Sequence, residues 1–394
     1  MKSASISALL AVVAASVTAA PDSALKDQNN LSLRNEVQLG IDRGLAFLKS
    51  QQKEDGSWSN ADHPALTALP AVAFQREPSG ANFANPPEFL KKGYAYLRAT
   101  AKPDGGFYKS GLSNYNTSVV MMALLGSGDP QDEPLLTAAR KFVAGQQATT
   151  MAKPELNGGF GYGPTGTSPK RQHPDLDNTI VALEAIRTYE QMRPTAELAA
   201  AKDLDWKSAI AFISRCQNLP GSNPEPWASG DPANKGGFIY FPGASNAGEQ
   251  DLGDGKKAWR SYGTMTYAGM LSLLYSDVKP DDARVQAALG WLRTNFTLEE
   301  NPGMRSGGTP GSEFQGYYYY LHLMAKGLTA AKVNTLETAE GKKVEWRREL
   351  ATKLLNLQKG DGQWVNSAGR WMETDPILVT SYGVLALELI YHGL

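Results

Sequence analysis

Apolar and polar positions follow a frame that returns along this chain. Its clearest stretch runs from Arg43 to Trp58. It reads as a basic residue, a small residue, two free positions, aromatic Phe47, aliphatic Leu48, three free positions, Gln52, three more, Gly56, one more, and Trp58. The frame recurs as Lys92-Gly93, Tyr96-Leu97 and Gly105-Gly106-Phe107, with Ala101 in the glutamine's place. It returns as Phe142-Val143, Gln147 and Gly158-Gly159-Phe160, then as Phe212-Ile213, Gln217 and Gly236-Gly237-Phe238. A worn fifth copy opens at Trp291-Leu292 and ends near Gly307-Gly308, and Leu354, Gln358 and Gly362-Gln363-Trp364 make a sixth. Such periodicity marks a repeat architecture. The aromatic–aliphatic pair predicts the buried stripe of an outer helix. The glutamine falls near that helix's end, where carbonyls lack intrahelical partners, and is expected to bond them and the next repeat. The Gly-x-aromatic segment predicts a tight turn whose ring stacks on a neighbouring repeat.

A second set of helices follows the turns. Thr67, Thr117, Thr179, Thr266 and Thr380 stand at matching places, with Tyr319 read into that place in the fifth copy. Apolar, helix-length runs follow, such as Val119 to Leu125 and Ile180 to Ile186. Each copy is therefore a helical hairpin, an outer helix followed by an inner one.

The frame from Arg43 to Trp58 resembles the QW motif of squalene cyclases and protein prenyltransferase β-subunits, and the copies span nearly all of the chain after its first residues. The resemblance implies an all-α fold, an (α/α)6 toroid in which six hairpins close around a central funnel. It also implies one domain over residues 39–394, preceded by a lead-in over 20–38.

The first residues bear on location. Lys2, then an apolar run from Ile6 to about Val17, then small residues at Val17 and Ala19 read as a signal peptide over 1–19, cleaved near Ala19. A secreted or periplasmic protein is expected. No later stretch reaches transmembrane length. Cys216 is the single cysteine, so stability must come from packing. Lys plus Arg total 39 against 40 for Asp plus Glu, without the basic excess a nucleic-acid partner would need.

In a toroid, the loops entering the inner helices ring one mouth of the cavity, where a site is expected. The third copy enters as His173-Pro174-Asp175-Leu176-Asp177-Asn178-Thr179. This resembles the Asp-x-Asp-Asp motif of squalene–hopene cyclases and other class II terpene cyclases. By that resemblance Asp177 is the acid that protonates an alkene or epoxide, and Asp175 its supporting carboxylate. Asn178 replaces the motif's last aspartate. The same residues also suit a plain helix start, since Asp and Asn cap helices and favour the first turn. Asn116-Thr117 matches Asn178-Thr179, whereas Ala65, Tyr115 and Thr264 hold the place of Asp177. His173 and Asn178 join the cavity candidates, as do Tyr262, Tyr317, Tyr318, Trp371 and Tyr382. Aromatic faces there stabilise cations or simply fill a core. Lys256, Lys257 and Arg260, with Lys170 and Arg171, form basic clusters that suit a solvated loop or an anion grip.

Other family chemistry is missing. The zinc-binding Asp-x-Cys of prenyltransferases is absent, because Ser214-Arg215 precede Cys216. Gly248-Glu249-Gln250 lacks the cysteine of a thioester toroid, and the four histidines lack metal-ligand spacing. No metal and no cofactor are expected. Three functions stay open. The toroid binds an isoprenoid, another apolar ligand or a partner protein at its funnel mouth. Alternatively it is a terpene-cyclase-like isomerase, although squalene cyclases enclose their substrate with two helical domains. Otherwise it acts on a polysaccharide as a lyase or hydrolase, recruiting Asp175, Asp177 or Glu313.

Overall fold

The computed structural model describes residues 24–163, 168, 171–195, 198, 201–305 and 309–394. The expected signal peptide, Lys170, residues 164–166 of the glycine-rich stretch after Gly158, and Gly307-Gly308 lie outside the described residues. Twelve helices of ten or more residues, taken among the described residues, fall into two sets. The outer set is α1 (Ala24–Ser50), α3 (Glu88–Arg98), α5 (Glu133–Ala144), α7 (Trp206–Arg215), α9 (Ala283–Thr294) and α11 (Trp346–Leu357). The inner set is α2 (Ala65–Arg76), α4 (Ser113–Leu125), α6 (Leu176–Met192), α8 (Gly263–Tyr275), α10 (Tyr317–Ala330) and α12 (Pro376–Tyr391). Two antiparallel ribbons interrupt them, β1 (Glu249–Gly253) with β2 (Lys256–Trp259), and β3 (Leu336–Glu337) with β4 (Lys343–Val344). No helix among the described residues is long and apolar enough to cross a membrane.

α1 reaches back into the segment expected as a lead-in. Leu33 and Val37 are buried against the core, which ties that segment down. Each inner helix packs on the next, α2 on α4, α4 on α6, α6 on α8, α8 on α10 and α10 on α12, and α12 packs in turn on α2. α1 packs on both α12 and α11.

The repeated frame is explained by a repeated set of bonds. Gln52 Nε2 donates to Gly56 O at 3.0 Å, within its own turn, and to Phe89 O at 2.8 Å, at the start of α3. Gln147 bonds Gly158 O and Asp205 O, and Gln217 bonds Gly236 O and Arg284 O. Gln358 bonds Gly362 O and, 318 residues back, Gly40 O in α1. Ala101 offers no such amide in the second copy. The turn glycines at 56, 105, 158, 236 and 362 all have φ between +86° and +99°, the left-handed region that favours glycine. A Cβ on any of them would also strike a carbonyl of the next outer helix, at 2.0 Å from Ser208 O in the tightest case.

The threonines close the same turn from the other side. Thr67, Thr117, Thr179, Thr266 and Thr380 each accept, through Oγ1, the backbone N–H of the turn aromatic, at 2.8–3.1 Å. These rings are fully buried, and Trp58 and Trp364 lie against Gly93 and Gly44 of the following outer helix. The frame's small residue is thus the seat for a neighbour's ring.

Candidate active site

A cavity of about 200 Å³ opens where the inner helices begin. The first turn of every inner helix contributes to its lining, with Ala65, Tyr115, Asp177, Thr264, Tyr319 and Leu378 among the residues there. Five of these stand two places before an aligned threonine. The sixth corrects the expected register, because Tyr319 faces the cavity as those five do and buried Leu321 takes the threonine's place. The fifth copy has no threonine to mark the frame, and its four tyrosines conceal a shift of two. A second cavity is lined by later turns of α2, α4, α6, α10 and α12. The inner helices therefore run side by side in one direction, and their partly positive N-terminal ends converge on the first cavity.

Asp175 and Asp177 are both buried but do different work. Asp175 is the N-cap of α6. Its carboxylate accepts Asn178 N at 2.8 Å and Asn178 Nδ2 at 2.8 Å, and the Tyr240 hydroxyl bonds it too. It does not line the cavity. Asp177, two residues on, does line it. The Tyr319 hydroxyl bonds Asp177, and Asp177 Oδ1 has no partner. Burial pushes both carboxyls above the ordinary range, and repulsion from Asp177 adds to the shift on Asp175. Three donors converge on Asp175 and one on Asp177, so the geometry favours charge on Asp175 and the proton on Asp177. Asn178 supplies an N–H to Asp175 where a second ionised aspartate would repel it. Asn116 occupies the matching place in α4 but bonds Gly111 O and Ala65 N instead.

Other expected residues divide between wall and scaffold. Tyr262, Tyr382 and Trp371 line the cavity. Tyr382 bonds Tyr115, and its ring lies 5.3 Å from that of Tyr319. Tyr317 and Tyr318 do not line it, which corrects the expectation. Successive helix residues point about 100° apart, so Tyr319 faces inward while Tyr317 bonds Leu298 O and packs edge-on against Tyr318. His173 and Asn178 also stay out of the lining, His173 lying against the Phe241 ring at 4.3 Å. The basic group at Lys256, Lys257 and Arg260 sits on the β1–β2 ribbon. Lys257 pairs with Glu249 at 2.9 Å and Arg260 Nε donates to Glu249 O, so they do not converge on the cavity. Arg171 does line it. Glu313 is also outside the lining, 3.7 Å from Arg305.

Glu373 lines the cavity as well and was not among the expected residues. It accepts Tyr319 N at 2.8 Å, Tyr318 N at 3.4 Å and Asn366 Nδ2 at 2.5 Å, so it caps α10 from another loop. Burial, opposed by those donors, raises it to about 7. Just before it, Trp371 and Met372 both adopt left-handed backbone, at φ 57° and 64°. Two such residues in a row store strain of the sort found at functional sites. A lone glutamate in a loop, with no counterpart in other copies, carries no signal in the sequence. Among the described residues no cluster of potential ligands could hold a metal ion.

No protein-family model matches the chain. Over 176 residues, 42% of this chain, it is 26% identical to the squalene–hopene cyclase of Alicyclobacillus acidocaldarius. That stretch spans 26% of the enzyme, so the chain covers about a quarter of this curated relative. Its fold is that of the type II terpene cyclase MstE from Scytonema. The MstE variant in complex with merosterolic acid A (product) superposes with a TM-score of 0.55 at 12% identity. A variant holding geranylgeranyl dihydroxybenzoate (substrate) gives 0.54 at 11%, and the unliganded enzyme 0.54 at 13%. Each match covers 92% of this chain and 99% of the other. The chain is thus similar in fold to a type II terpene cyclase and in part of its sequence to a squalene–hopene cyclase.

Proposed function

We propose that this protein is a protonation-initiated terpene cyclase with Asp177 as the acid. One observation carries the reading: a buried carboxyl, held by one tyrosine, presents an unpartnered oxygen to a cavity walled by aromatic rings. The proton of Asp177 adds to one carbon of an isoprenoid double bond, whose π pair becomes the new C–H bond. The cation left on the other carbon is attacked by the next double bond, and a ring closes. Faces of Tyr115, Tyr262, Tyr319, Tyr382 and Trp371 shield the migrating charge. Loss of a proton at the end restores an alkene, so the product is an isomer and no redox partner is consumed. Asp175 and the helix N-termini steady the carboxylate that remains.

Ligand binding without turnover, the leading expectation from the sequence, fits the same apolar wall but leaves the buried, free-ended carboxyl unexplained. The expected need for two domains loses its force, because the MstE matches extend over 99% of a chain that this one nearly spans. The carboxylates that a polysaccharide reading would recruit are not arrayed across the cavity, Asp175 lying behind it and Glu313 outside it. We infer further that the six hairpins close. The α12–α2 packing and the Gln358–Gly40 bond support this. Export, resting on residues 1–19, is a separate proposal.

The test uses the full chain, purified and extracted with organic solvent for mass spectrometry. It is then incubated with squalene or with geranylgeranyl dihydroxybenzoate, beside Asp177→Asn. A cyclic isomer formed by the wild type alone supports the reading. No cyclic product from either compound sinks it.

A further inference from the structure

Below the first cavity lies the second, of about 70 Å³. Tyr115, Tyr319 and Tyr382 line both, so a layer of three tyrosines separates them. Helix α10 continues downward from Tyr319 with His322 and Lys326, at spacings of three and four that put all three on one face. Lys326 Nζ meets Glu184 Oε2 at 2.5 Å across the chamber. Arg76 also lines it, with Nε unpartnered. His322 is 6% exposed, lies stacked on Tyr382, and has no partner at Nδ1. Glu388, on the facing helix, is buried with both oxygens unpartnered. Buried polar groups need partners, and although most of the chamber wall is apolar, His322, Arg76 and the Lys326–Glu184 pair offer a water molecule the polar partners it needs.

An acid that starts each cyclisation must regain its proton before the next. From the first cavity this has to wait until an apolar occupant leaves, because that occupant excludes water. We propose that the second cavity is a hydrated proton-return chamber, in which Tyr319, His322 and the Lys326–Glu184 pair pass a proton from solvent to Asp177. This rests on Asp177 being the acid. The steps balance. Tyr319 O–H gives its proton to the Asp177 carboxylate and takes one from chamber water. That water is recharged through His322 and Lys326 from solvent. Over one turnover the proton drawn in equals the proton released when the cyclised cation becomes an alkene. Burial, together with Lys326 and Arg76, holds the His322 imidazole well below its usual range. A neutral ring accepts at one nitrogen while donating at the other, as a relay requires. Burial likewise lowers Lys326 despite Glu184, which makes the ammonium a readier donor.

The test compares the first turnover with later ones, using geranylgeranyl dihydroxybenzoate and squalene as probes. Two variants are used. Lys326→Met with Glu184→Gln removes both charges together, which avoids stranding either one. His322→Phe keeps the stack on Tyr382. Each variant starts with Asp177 protonated, so its first turnover is expected at the wild-type rate. Later turnovers are expected roughly tenfold slower or worse, giving a burst that wild type lacks. A structural defect would slow both phases alike. If wild type turns over and neither variant shows a burst, the proposal fails while the acid assignment stands. If wild type makes no product from either probe, the acid assignment falls and takes this proposal with it.

Discussion

At the start of α4, Thr117 accepts the amide of Phe107 and Tyr115 faces the funnel. At the start of α6, Thr179 accepts the amide of Phe160 and Asp177 faces it. The scaffold parts are the same, with the same bond to the same turn. Only the inward side chain two places before the threonine is changed. The frame thus fixes where a side chain will point and leaves its chemistry free, so that among six like helix starts one presents a carboxyl. The changed place also draws in neighbours: Tyr319 from α10 bonds Asp177, and Tyr382 from α12 bonds Tyr115.

Removing the chemistry at α6 should have the largest effect. Asp177→Asn keeps the shape and loses the proton, so turnover is expected to fall roughly 10²–10⁴-fold with the melting temperature little changed. Product formation by mass spectrometry, with a thermal melt beside it, checks both halves. Equal turnover in the two proteins would remove Asp177 from the mechanism.

The second effect concerns pH. Asp177, Glu373 and Glu388 are all shifted upward by burial, Glu373 to about 7. A group raised in the folded state holds its proton where the unfolded chain has released it. Its contribution to stability is complete below the unfolded value, near 4, and is lost as pH climbs through the folded one. Below about pH 6.5 His63, His322 and His392, lowered by burial, pull the other way, so melting temperature is expected to fall from about pH 7 to pH 8, each such carboxyl costing up to about 1.4 kcal/mol per pH unit within its window. Activity should fall in the same direction, since the acid must carry its proton. Glu373→Gln should flatten the slope near pH 7. A melting temperature that rose over this range would contradict the burial argument.

Much of this was legible in the chain. The repeat could be read because glycine, glutamine and threonine each answer a local backbone need that few residues meet. The Asp175–Asp177 pair was legible as the departure from that frame. The fifth copy was not, because Tyr319 and Leu321 give no local sign of which one fills the threonine's place. Glu373 was hidden for another reason. Its partners, Tyr318 N and Tyr319 N, are more than fifty residues away, and its approach depends on left-handed Trp371 and Met372.

Asn178 tests whether the departure from the cyclase motif is matched to its surroundings. Asn178→Asp should remove the Nδ2 donor and set a carboxylate beside Asp175, destabilising by about 1–3 kcal/mol at neutral pH. The penalty should shrink at pH 5. A variant as stable as wild type at both pH values would show that Asn178 does not support Asp175.

The smallest effect should come from repairing the second copy, where Ala101 stands for glutamine. In each copy that has the glutamine, its amide reaches the carbonyl of the turn glycine. Its second acceptor lies three residues before the carbonyl that crowds that glycine: Phe89 before Lys92, Asp205 before Ser208, Arg284 before Ala287, Gly40 before Arg43. Gly105 is crowded by Ala138 O, so the missing acceptors are Gly105 O and Leu135 O. Ala101→Gln should make both bonds at a partly buried site and stabilise by roughly 1 kcal/mol, less the entropy of holding the side chain. In a chain this long that is a rise of about 2 °C. Gln217→Ala should move the other way and further, because two carbonyls lose a partner they already have. An Ala101→Gln protein that melts lower than wild type would show that the second copy is spaced too tightly for the amide, and that its departure from the frame is steric.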